Sequence, residues 1–119
     1  MNQKELEQFL LTQKAAESSL PFGPQALVFK VLGKMFAVVS QQQAIASITL
    51  KGSPADVAFL VDEFAAITPG YYMNKKHWMT ISLSGEIDNG MLQDLVIRSY
   101  NLVVAKLKKA EREQLNRRA

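Results

Sequence analysis

Two lysines, the only histidine and the only tryptophan fall in one run, Met73-Asn74-Lys75-Lys76-His77-Trp78-Met79-Thr80-Ile81-Ser82-Leu83-Ser84-Gly85. The chemistry these types offer is recognition: ammonium groups attract phosphate oxygens, and an indole offers a flat surface for an unpaired base. Period-two alternation sets Met79, Ile81 and Leu83 on one side of a strand and Trp78, Thr80, Ser82 and Ser84 on the other. With the first set facing a core, the tryptophan stands outside among hydroxyls. Burying its ~200 Å² would be worth several kcal/mol at ~25 cal/mol per Å², so an outward indole points to use; the alternative is that Trp78 packs under a loop or at the sheet margin against Tyr71 or Tyr72. Lys30 and Lys34 flank a hairpin tip, and Lys51 ends another strand. Lys30, Lys34, Lys51, Lys75, Lys76 and Trp78 are therefore the candidate nucleic-acid-binding residues. The set holds lysines and no arginine, so it can attract phosphate but cannot read guanine bidentately.

Catalysis lacks parts. The 119 residues include one histidine and no cysteine, which removes thiolate metal ligands, thiol nucleophiles and disulfides together. His77 alternates to the inward side, where a hydrogen-bonded structural role suits it, and Asn74 suits the turn. The six glycines are dispersed among turns, and none forms a phosphate-cradling loop. Glu5, Glu7 and Glu17 are too sparse for an iron-loading ridge. The expectation is a non-enzymatic protein with no cofactor and no metal.

These residues need a scaffold, and local signals supply one. Asn2 followed by Glu5 resembles a capping box, with Leu6, Phe9 and Leu10 on one helical stripe. This helix should fade near Glu17-Ser18-Ser19 and stop before Leu20-Pro21-Phe22-Gly23-Pro24. Gln25–Val31 and Lys34–Ser40 read as strands joined by the tight turn Leu32-Gly33. Ile45–Lys51 follows the polar loop Gln41-Gln42-Gln43, with Ser47, Thr49 and Lys51 on its polar face. Ser53-Pro54-Ala55-Asp56 starts a helix: a cap, a first-turn proline and an acid at the positive dipole end. Val57, Leu60, Val61 and Phe64 mark its buried stripe. Pro69-Gly70 ends the connection, Tyr71-Tyr72 forms a short strand and His77–Ser84 a longer one. Asp88 caps a final helix striped by Leu92, Leu95, Val96, Tyr100, Val103 and Leu107, and the tail beyond Lys108 frays.

The resulting order is α-β-β-β-α-β-β-α in one domain over residues 1–119. Hairpin-linked strands imply a mainly antiparallel sheet. The economical packing is an α+β two-layer sandwich with helices on one face and the other open to water. Trp78, Thr80 and Ser82 then share the open face with Ser47, Thr49, Lys51, Val28 and Lys30.

The net charge of +3 is unevenly spread. Residues 98–119 hold seven bases and two acids, a balance of +5, leaving −2 for the rest. A basic patch can attract phosphate; cations at a helix C-terminus also complement its dipole. The start of the chain lacks the apolar run of a signal peptide, and no window reaches the ~20 apolar residues of a membrane span. A cytoplasmic, monomeric protein without a membrane partner is expected.

Leu20-Pro21-Phe22-Gly23-Pro24, Val28-Phe29-Lys30-Val31, Gly33-Lys34-Met35-Phe36-Ala37, Leu50-Lys51, Pro54, Pro69-Gly70-Tyr71, Met73-Asn74-Lys75-Lys76-His77-Trp78 and Ser99-Tyr100-Asn101-Leu102-Val103 resemble, in order, the MmcQ/YjbR family of small bacterial proteins. Gly52 departs from the cysteine many relatives carry there, and Lys108 from a common proline. The resemblance implies an α-β(3)-α-β(2)-α sandwich similar to frataxin-like (CyaY-like) and secretion-chaperone-like folds. It also implies DNA binding through a double-wing arrangement of hairpins. The partner expected on this reading is double- or single-stranded DNA. The alternative is a protein or peptide held on the open sheet face or at a sheet edge, with no nucleic-acid role.

Overall fold

The computed structural model describes residues 1–41, 44–70 and 74–117. Its first helix, α1 (Gln3–Leu11), begins on the expected capping box: Glu5 N–H donates to Asn2 Oδ1 at 2.8 Å and Asn2 N–H to Glu5 Oε1 at 3.1 Å. Leu6 and Leu10 are its buried face. The helix does not fade into Glu17-Ser18-Ser19. It stops at Leu11, the chain turns through Ala15 at φ 62°, and Ala16–Ser19 becomes a strand, β1. Its polar composition is that of an edge strand, with one side in water.

β2 (Ala26–Val31) and β3 (Lys34–Ser40) form the expected hairpin. Both turn residues have positive φ, 47° at Leu32 and 78° at Gly33, the backbone that matches strand twist in a two-residue loop. A bulge near Lys30 shifts the register, so Phe29 faces Ala37 while Lys30 faces Met35, with Phe36 inserted between. β4 (Ser47–Lys51) follows, then α2 (Pro54–Glu63), capped by Ser53 with Pro54 in its first turn.

The strand before the basic run is Ile67–Pro69 (β5), upstream of the tyrosines; the expected Tyr71-Tyr72 strand lies outside the described residues. β6 is Trp78–Ser82, and Asp88 caps α3 (Asn89–Ala105), as its Oδ1 accepts from Met91 N–H at 2.8 Å. The tail does not fray at Lys108: Lys109–Asn116 forms α4, seated by buried Leu115. The order is thus α-β-β-β-β-α-β-β-α-α, an α+β fold with one six-stranded antiparallel sheet, β1-β2-β3-β4-β6-β5.

One core holds the layers together. Phe29, Val39, Ile48, Leu50, Met79 and Ile81 from the sheet meet Leu6, Leu10, Val57, Leu60, Leu95, Val96 and Leu115 from the four helices. Val28, Val38 and Trp78 are buried but lie outside this cluster, on the opposite face. The helices therefore occupy one side, as alternation required.

Candidate nucleic-acid interface

Antiparallel pairing sends alternate connections to the same end of a sheet. At one end lie the turn entering β1, the β2–β3 tip, the exit from β4 and the entry to β6. The end of α3 joins them, since Tyr100 Oη donates to Lys14 O at 2.6 Å and Lys51 N–H donates to Ser99 Oγ at 2.9 Å. Each of these connections contains or borders lysine: Lys14; Lys30 and Lys34; Lys51; Lys75 and Lys76; Lys106 and Lys108. The five lysines singled out in the sequence are brought to one end of the molecule.

The opposite end has the reverse character. Its connections, residues 20–25, 41–46, 64–66 and 83–88, contain no lysine or arginine. Asp62 and Glu63 close α2 there, and Glu86 and Asp88 precede α3. The N-terminal ammonium is hydrogen-bonded to Asn89 Oδ1, which brings the first turn of α1, with Lys4 and Glu5, to this end, where Asp62, Glu63, Glu86 and Asp88 leave carboxylates in excess. The −2 balance of residues 1–97 therefore divides in space into a basic end and an acidic end.

The lysines form no close ion pair among the described residues, although Glu17 stands opposite Lys30 across β1 and β2. Among the described residues the one ion pair joins Arg98 to Asp56 at 3.9 Å, with both side chains well exposed, a pair worth little. Lys34, Lys75 and Lys76 are exposed, and Lys30 and Lys51 half-buried. Partial burial, then the nearby Lys106 ammonium, hold Lys51 below its ordinary 10.5. Asn74 builds the turn that presents Lys75 and Lys76: its Oδ1 accepts from Lys76 N–H at 2.9 Å and its carbonyl from His77 N–H at 3.1 Å. His77 is half-buried; its backbone carbonyl accepts from Gly52 N–H at 2.8 Å, and no side-chain bond of His77 occurs among the described residues.

Trp78 departs from expectation. It faces the helix-free side, but it is only 9% exposed. Gly70 presses on it so closely that a Cβ there would come within 2.6 Å of Trp78 Cβ, while Lys51 Nζ stands 5.9 Å from the ring centroid. Alternation sets the face of a residue but says nothing of the stem a neighbouring strand lays over it. The indole serves as a support for Lys51 rather than a bare stacking platform. The helix-free face as a whole is not bare: Val28, Val38, Ser47 and Thr49 are buried there as well.

Ser99 is a positioning residue that the helical stripe concealed. The bulge inserts Phe36 into β3, and Lys51 lies just past the last β3–β4 pair, Ala37–Leu50. The fully buried Ser99 hydroxyl answers both: it accepts from Lys51 N–H and donates to Phe36 O at 2.7 Å. One hydroxyl can donate and accept at once, so α3 is tied to the sheet where the lysines converge. The available signal was a lone serine amid Val96, Tyr100 and Val103.

No group of three potential metal-ligating side chains occurs among the described residues, and no helix there is long and apolar enough to cross a membrane. What the fold and site define is a small α+β domain with a segregated cationic end. The family model YjbR matches residues 11–102, and the chain belongs to the YjbR family. It is 39% identical over 95 residues to the uncharacterized protein YbdF of Escherichia coli O157:H7, covering 80% of this chain and 78% of that one. It is 30% identical over 115 residues to the uncharacterized protein YjbR of Escherichia coli K12, covering 97% and 98%. The crystal structure of Deinococcus radiodurans protein DR2400 superposes with a TM-score of 0.87 at 33% identity, over 97% of this chain and 88% of that one. A Pseudomonas syringae structure shares the fold, with a TM-score of 0.75 at 24% identity over 86% and 98%.

Proposed function

We propose that this protein is a non-enzymatic DNA-binding protein that holds the phosphate backbone at its lysine end. The observation that carries the reading is the convergence of Lys30, Lys34, Lys51, Lys75 and Lys76 from separate connections onto one end, where Glu17, opposite Lys30, and Asp56, paired with Arg98, are the nearby carboxylates among the described strands and α2. Phosphate contacts supply most sequence-independent affinity, and lysine suits them as a point charge. The β2–β3 tip and the turn at 74–77 are the two reaching elements, in the manner of wings. The acidic end opposite orients the molecule as it approaches a polyanion. The buried Trp78 takes no part in base stacking, so duplex is favoured over single strand.

A chemical-shift titration of labelled protein with a mixed-sequence duplex tests this. The amides of 30–34, 51 and 74–78 should move together, and those of 83–88 should stay still. A duplex that leaves the lysine end unmoved removes the reading. The alternative, a peptide-binding module, draws on β1, whose outer edge has no strand beside it among the described residues; shifts confined to Ala16–Ser19 on adding a peptide pool would favour it.

A further inference from the structure

The helix-free face carries a groove of about 520 Å³, within the range of small-molecule sites. Phe22 and Ala26 line one side, Met35, Val38 and Ser40 the floor along β3, and Thr49 the other side. From Met35 to Ser40 the floor is about 17 Å long. Phe22 reaches over it from the loop at 20–25 yet remains 65% exposed, an aromatic with little beneath it.

The two ends of the groove differ. At the Met35 end the bulged register sets Lys30 directly across from Met35, and Lys51 follows on the β4 side of the same row. At the Ser40 end the lining is neutral: Gln25, Ala26 and Ser40. The charged end holds two ammonium groups against one carboxylate, Glu17 opposite Lys30, and an apolar trough with this net positive end is complementary to a molecule with an apolar body and one anionic head. A peptide strand is a poor match, because β3 is paired on both sides and offers no free main-chain groups.

We propose that this groove binds a single-chain anionic amphiphile, a fatty carboxylate, with its head at Lys30 and Lys51 and its chain along β3 beneath Phe22. An anion there also relieves the partly desolvated Lys51 ammonium, which Lys106 repels. The apolar body of the site rests on Phe22, Met35 and Val38, which the DNA reading does not use, while the head shares Lys30 and Lys51 with it.

Sodium decanoate, added below its micelle concentration to labelled protein, tests it. Shifts should concentrate at Met35, Val38, Ser40 and Thr49. Decyltrimethylammonium should bind about tenfold more weakly, since a charge-assisted contact turns to repulsion. Phe22→Ala, at an exposed position that leaves the core intact, should weaken decanoate about fivefold through lost apolar contact. The triple change Lys34→Gln, Lys75→Gln, Lys76→Gln should leave decanoate affinity unchanged while weakening duplex, which separates the two sites. Equal binding of the cationic amphiphile, unchanged affinity in F22A, or shifts confined to 74–77 would each overturn the proposal.

Discussion

The two ends of the sheet are built from the same strands yet differ in chemistry. At one end every connection contains or borders a lysine; at the other the connections have none, and carboxylates cap or close the helices. Neither end is visible as a block in the sequence, because the lysines are spread from Lys14 to Lys108. The contrast shows that an antiparallel fold can assemble a charged surface from single, widely spaced residues.

The largest effect expected from breaking this contrast is on duplex binding. Changing Lys34, Lys75 and Lys76 to glutamate should cost on the order of 100-fold in affinity, since each lost phosphate contact is replaced by repulsion. Changing Asp62, Glu63 and Glu86 to glutamine at the other end should leave affinity within about twofold. A gain in affinity on neutralising the acidic end, in proportion to the charge removed, would mean that net charge alone governs binding.

Next comes the anchoring of each end. Ser99→Ala leaves the buried Phe36 carbonyl and the Lys51 amide unsatisfied and should cost about 1–3 kcal/mol in urea unfolding. Asp88→Ala removes only a helix cap at the acidic end and should cost about 1 kcal/mol. A Ser99 variant as stable as wild type would show that α3 does not depend on this tie.

Smaller still is the response to anions. Self-repulsion among the lysines should ease when phosphate replaces chloride at equal ionic strength, raising Tm by about 2–4 °C. The K34Q/K75Q/K76Q protein should lose most of that rise.

Lys51→Met gives the smallest effect, and it depends on pH. The folded-state pKa of Lys51 lies below its ordinary 10.5, so its charged form costs stability while it is protonated. That cost fades as pH rises through the folded value and is gone above the unfolded one. The substitution should therefore stabilise at pH 7, by less than about 0.5 kcal/mol because the side chain is partly solvated. The gain should vanish in thermal melts near the unfolded value; a gain that persists there would assign it to packing on Trp78.

Much of the scaffold was legible because its signals are local. The Asn2–Glu5 box, the Leu32-Gly33 turn, Ser53-Pro54 and Asp88 each fix a boundary with residues a few positions apart. β1 was concealed because an edge strand in water has no apolar alternation to show, and its entry depends on a positive φ at Ala15. α4 was concealed because one leucine, Leu115, seats it. The face of Trp78 was legible, and its burial was one of two readings the alternation left open; Lys51 stands over the ring, and Gly70 lies against its Cβ and backbone. The lysine end could have been found: successive hairpins already imply which connections share an end.

The salt dependence of duplex affinity tests the lysine end most directly. Plotted as log affinity against log salt, the wild-type slope should be steep and negative, at about −0.9 per phosphate neutralised, and the K34Q/K75Q/K76Q protein should be flatter by about 2.7. A flat wild-type response, or the same slope in both proteins, would contradict the account.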